Sequence, residues 1–234
     1  MKTTSTIPKN CTIIEGFPGF GLVGTITTGF LIDHLKCEHI SHRFFEETAP
    51  TVAIHQGRTV DPVGVFYNKE HNIVVVHSIL NPQGLEWKAA DHIIDLCKQF
   101  KAKELITLEG VSGPQVPDAK QRAFFYVDGD DKALRKTGME PLKEGIIIGV
   151  TGALMLKNVP CKLTSLFAET HSSLPDSKAA AIVIEALDKY LSLDVDTKPL
   201  LKQAEEFESK LKQLMQQGVR AKEQQDRKNL SYIS

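Results

Sequence analysis

Residues 14–25 read IEGFPGFGLVGT, and inside them Gly19-Phe20-Gly21-Leu22-Val23-Gly24 is a literal G-x-G-x-x-G. The apolar run before it, CTIIE at 11–15, suits a buried strand that stops at Gly16. After it, Leu22, Val23, Ile26, Phe30, Leu31 and Leu35 recur at helical spacing, which predicts a helix over 21–35. Strand, glycine turn and helix in that order form the opening unit of an α/β fold. In a dinucleotide-binding fold such glycines allow the tight turn, the approach of a pyrophosphate and close helix–strand packing. An acidic residue is then expected about 20 residues on, and Glu46-Glu47 sit roughly there. Two features oppose that reading. The segment Glu15-Gly16-Phe17-Pro18 separates the strand from the glycines, with a carboxylate that would repel phosphate and a proline that removes an amide donor. The glycines are therefore read as close packing of helix against sheet, with Phe17 and Phe20 as exposed loop aromatics and candidate partner-binding residues.

Working outward, segments 42–46 and 52–55 read as strands, and 63–67 and 73–78 flank the polar turn NKEHN as a hairpin. A helix is expected over 86–100, with Trp87 as a packing anchor near its start. A strand at 105–108, a loop at 109–117 and a strand at 124–127 follow, then a short helix at 130–136 closed by Gly138. The run Gly145-Ile146-Ile147-Ile148-Gly149 has the pattern of a strand covered on both faces. A helix at 151–156, a strand at 162–167 and a helix at 175–191 complete the alternation, Pro175 lying in the first turn. The expectation is a three-layer α/β/α domain with a mixed sheet over residues 1–195. Residues 13–19 (IIEGFPG) resemble residues 107–113 (TLEGVSG): either the two strands end in similar loops on one sheet edge, or the likeness is chance.

Beyond Asp196 the pattern changes. Leu200, Ala204, Phe207, Leu211, Leu214 and Gly218 step by 4, 3, 4, 3 and 4, a heptad seam that predicts a coiled-coil-like helix over 196–218. Leu211 and Leu214 are its candidate self-association contacts, docking onto the chain's own domain being the alternative. Residues 219–234 are polar and are expected to form a flexible tail.

Composition narrows the function. A net charge of −1 gives no electrostatic case for nucleic acid or an anionic membrane as partner. No apolar run approaches the roughly 20 residues that span a bilayer, and residues 1–10 lack the apolar core of a secretory signal, so a cytoplasmic protein is expected. The four cysteines form no C-x-x-C and read as free thiols. G-x-S-x-G, H-E-x-x-H and the P-loop pattern do not occur. His34, His39 and His42 are close in sequence, but a helix end and a turn are expected to scatter them. Neither a metal nor a cofactor is expected. Glu15, Glu109 and Glu169 each end or follow a strand. They either converge on one cleft for acid/base work or cation binding, or cap the amides of neighbouring glycine loops, the favoured reading.

The ordered series from Glu15 to Gly24 resembles the opening signature of the proteasome assembly chaperone two family, and specifically its archaeal members. Residues 105–110 (LITLEG), 145–152 (GIIIGVTG), 167–170 (FAET), Pro175-Asp176, Ala179, Ala180 and Val195-Asp196 extend the resemblance over roughly residues 10–217. It implies a phosphorylase/hydrolase-like α/β/α fold, no known catalysis, self-association, and binding to proteasome α-subunits during core-particle assembly. Some proteasome partners end in hydrophobic-Tyr-any, whereas here Tyr232 is third from the end. Tyr232 is kept as a candidate contact although that motif is displaced. The alternative function is an enzyme or sensor that binds a nucleotide or nucleoside-like ligand in a sheet-edge cleft.

Overall fold

Thr12–Gly16 (β1) is buried at every position. It lies parallel to and between Ile73–Ser78 (β6) and Glu104–Ser112 (β7), with Ile14 opposite both Val75 and Ile106. Central parallel strands are covered on both faces, so an unbroken apolar run is what this position demands. β7 pairs in parallel with Lys162–Thr170 (β10). Antiparallel strands flank this centre: Val63–Asn68 (β5) and then Glu38–Arg43 (β2) beyond β6, and Ala123–Val127 (β8) beyond β10. The short Glu140–Pro141 (β9) closes the far edge. The order is β2-β5-β6-β1-β7-β10-β8-β9, a mixed sheet of eight strands. Ala53–His55 (β3) and Arg58–Val60 (β4) make a separate two-stranded ribbon.

The structure is a computed structural model, and it describes residues 8–48, 50, 52–55, 57–80, 83–113, 121–170, 174–198 and 201–202. The heptad seam with Leu211 and Leu214, and the tail with Tyr232, lie outside the described residues.

Strand alternation sorts β1 between two cores. Cys11, Ile13 and Phe17 pack beneath Glu86–Phe100 (α2) and Val150–Leu156 (α4). Ile14 faces the other way, towards Val23–His34 (α1) and Ser177–Leu191 (α5). A small helix, Lys132–Arg135 (α3), adds Leu134 to that second core. The three layers are thus α2 and α4, the sheet, and α1 with α5. The amide of Ala179 donates to the Asp176 carboxylate, an N-cap that starts α5 just after Pro175. Among the described residues, no helix is long and apolar enough to cross a membrane. All four cysteines are free.

Several expectations need correction. β7 runs on to Ser112, where the pattern predicts a loop from residue 109, and the strand expected at 42–46 lies at Glu38–Arg43, because residues 44–46 leave the sheet. Residues 145–149 do not form a strand: Ile146 and Ile148 are 88% and 79% exposed in a loop that turns at Gly149 (φ 93°) into α4. Trp87 is not an interior anchor, since it is half-exposed beside the Lys157 ammonium, 5.7 Å from its ring. The histidines are not all scattered: β2 carries a bulge between His39 and Ser41 that returns His39 and His42 to one face.

Candidate functional site: a buried carboxyl pair below an apolar rim

β1 and β7 are neighbours; Glu15-Gly16 ends β1, while Glu109-Gly110 lies inside β7, two residues before its end at Ser112. The glycine loop that follows β1 is built for backbone contact. A Cβ on Gly16 would overlap the Gly24 carbonyl, and one on Gly24 would stand 2.6 Å from the Leu108 carbonyl oxygen. The start of α1 is therefore seated directly on β1 and β7. Gly21 (φ 66°) and Leu22 (φ 50°) are both left-handed, which makes the sharp entry into the helix.

One amide of this turn, that of Phe20, already faces a carboxylate of the chain itself. The backbone amides of Phe20 and Gly110 lie close enough to the Glu109 carboxylate to pull its pKa down, and the carboxylate fills the space that a side chain on Gly19 would need. In a nucleotide-binding loop those donors would face phosphate. Here the chain supplies its own anion. Burial pushes the Glu109 carboxyl up to about 7, against the lowering pull of the two amides. Glu15, in register two residues behind it, is buried and accepts the Phe17 N–H. Desolvation, reinforced by the charge of Glu109, holds Glu15 well above the usual carboxylate range. Thr151 Oγ1, in the first turn of α4, lies 3.5 Å from Glu15 Oε1 and 3.4 Å from Glu109 Oε2. Its single proton serves one carboxyl at a time, and the charge of Glu109 raises Glu15 further.

Glu169 stands apart. Its carboxylate pairs with the Arg122 guanidinium, Nε to Oε2 3.2 Å, and lines a neighbouring cleft of about 570 Å³. The three-carboxylate cleft considered from the sequence is not assembled, because β10 carries Glu169 opposite Val111 rather than opposite Glu109. Amide capping describes Glu15 and Glu109, while Glu169 answers an arginine.

Above Glu109 opens a cleft of about 620 Å³ lined by Pro18, Gly19, Phe20, Leu22, Ile146 and Ile148, among others. Phe20 is half-buried in its wall. Phe17, expected beside it as an exposed contact, is 4% exposed and belongs to the core under α2 and α4. The reason is alternation: Cys11, Ile13, Glu15 and Phe17 share one face, and Phe17 prolongs that row past the end of the strand. The isoleucine rim was missed from the sequence, where an apolar run between glycines reads as buried strand. So was Thr151, for which a lone threonine gave no signal.

The comparisons agree with this architecture. The PAC2 family model matches residues 13–215. An uncharacterised protein of Methanocaldococcus jannaschii is 27% identical over 216 residues, covering 91% of this chain and 88% of that protein. The crystal structure of Pyrococcus furiosus PbaA, described as an archaeal homolog of proteasome-assembly chaperone, superposes with a TM-score of 0.77 at 31% identity, covering 94% of this chain and 98% of PbaA. Pyrococcus furiosus PbaB, described as an archaeal proteasome activator, shares the fold with a TM-score of 0.71 at 24% identity, covering 88% of this chain and 94% of PbaB. The chain belongs to the PAC2 family.

Proposed function

We propose that this protein is a cytoplasmic, assembly-chaperone-like factor that binds proteasome α-subunits and associates with itself. PAC2 membership places it among non-catalytic proteins. The observation that carries a binding role is the pair Ile146 and Ile148, 88% and 79% exposed on the rim of the cleft. Large apolar side chains held out beside one another mark protein contact surfaces. Leu156 in α4, 78% exposed, and half-exposed Trp87 in α2 add apolar surface on the helices beside that rim. The likeness to PbaA supports the choice of a proteasome subunit as partner. Phe20 in the cleft wall, Leu211 and Leu214 on the heptad seam and Tyr232 in the tail are the further contacts we assign.

The test is co-purification of the tagged full chain with its cognate α-subunits, with the mass of the free chain measured by light scattering. Co-elution with α-subunits and a mass above one chain support the proposal. Absence of any α-subunit complex, together with a multi-degree thermal shift in NAD, ATP or a nucleoside, would replace it with the ligand-binding alternative.

A further inference from the structure

We propose that His39, His42 and Asp61 form a mononuclear site for a divalent transition metal, best suited to Zn²⁺, at the β2 edge of the sheet. The three side chains bring one ligand atom each to within 4.8 Å of the others. His39 Nε2 lies 3.0 Å and His42 Nδ1 3.7 Å from Asp61 Oδ2. Tetrahedral zinc with bonds of about 2.0–2.1 Å holds its ligand atoms roughly 3.3 Å apart, and the two separations bracket that value. Two imidazoles and a carboxylate form a donor set that zinc and its first-row neighbours favour.

The backbone is shaped for the convergence. Residues three apart in a regular strand face opposite sides of the sheet. β2 departs from that rule at Ile40: His39 pairs with Phe66 and Ser41 with Val65, so one extra residue is accommodated and His42 comes opposite Gly64. Positions 64 and 66 share a face, and His39 and His42 share it with them. Neighbouring rings hold the imidazoles. His39 meets the Phe66 ring edge-on at 5.1 Å, and His42 lies 4.5 Å from the Phe44 ring. Gly64 has no side chain, and the Phe66 ring leans into the space where a Cβ would come within 2.6 Å of it. Asp61 reaches the pair from the turn just before β5.

The site's openness suits a metal that enters the folded chain. The side chains of His39, His42 and Asp61 are 43%, 49% and 31% exposed, which leaves the remaining coordination position to water. Ligation by His39 through Nε2 and His42 through Nδ1 requires their protons on the opposite ring nitrogens. A bound ion would tie the outermost strand to the segment that leads into β5, stiffening an edge that otherwise offers unpaired backbone groups.

The experiment uses the full chain, stripped by dialysis against a chelator, then titrated calorimetrically with ZnCl₂ and spectroscopically with Co²⁺. One Zn²⁺ per chain is expected, with weak visible Co²⁺ bands of the tetrahedral type and no intense near-ultraviolet thiolate band. The double variant His39→Ala/His42→Ala should lose more than the roughly 10–100-fold in affinity that removal of an outer-shell partner costs. His34→Ala serves as the control and should bind as the parent does, since His34 stacks on Phe30 away from the cluster. Equal binding by parent and double variant, no binding by the parent at millimolar Zn²⁺, or a thiolate band would each overturn the proposal. Circular dichroism of the double variant separates loss of ligands from loss of fold.

Discussion

The Glu109 carboxylate occupies the space beside Gly19 that any side chain there would need. This one contact puts a carboxylate of the chain itself where a G-x-G-x-x-G loop would otherwise meet phosphate. The Phe20 amide of the loop faces a carboxylate delivered by the next strand of the sheet, so loop and strand are tied together from within. Gly19→Ala should therefore be far worse than an ordinary loop substitution. We expect a loss on the order of 1–3 kcal/mol from overpacking, measured by denaturant melts. A neutral Gly19→Ala would mean that the carboxylate sits elsewhere.

The buried carboxyls predict a direction of pH dependence. Both are raised in the folded chain, so their contribution to stability is complete below the ordinary carboxylate range and is lost as pH rises through about 7 for Glu109. Between pH 6 and 8, Glu109 alone should remove roughly 1 kcal/mol, or a few degrees in melting temperature. Glu109→Gln, which has no proton to lose, should flatten that decline. An identical decline in parent and variant would show that other groups cause it. The range stays below that of the buried thiols Cys11 and Cys37, each pushed up to about 11.

Phe17 and Phe20 stand three residues apart in one loop and should respond in opposite ways. Phe17 is core, so Phe17→Ala should cost about 3–5 kcal/mol in a thermal or denaturant melt. Phe20 is half-buried in the cleft wall, and Phe20→Ala should cost less stability while weakening α-subunit binding. Equal destabilisation by the two would make Phe20 a core residue as well.

How far the fold can be read before it is seen depends on where the decisive information lies. The β5–β6 hairpin and helix α2 follow directly from local periodicity and turn chemistry, and the helix has the bounds its pattern predicts, Glu86–Phe100. The meeting of Glu15 and Glu109 is foreshadowed by the shared Glu-Gly after two apolar runs. Glu169 departs because the register of β10 against β7 is set by tertiary pairing. The Gly145–Gly149 segment misleads because apolarity records desolvation without saying whether the cover is the chain's own core or a partner. The convergence of His39 with His42 depends on a bulge, a one-residue slip that strand periodicity does not encode.

The exposed isoleucine rim, Ile146 and Ile148, is the surface we propose for docking proteasome α-subunits. Its most direct test is the affinity of the full-length Ile146→Ser/Ile148→Ser variant for cognate α-subunits, measured beside its melting temperature. Exposed substitutions of this kind usually change stability by no more than about 0.5 kcal/mol each. Loss of two interface anchors should weaken binding by roughly 30-fold or more. An intact fold with at least that loss of affinity is the predicted result. An intact fold that binds α-subunits as tightly as the parent would contradict the account.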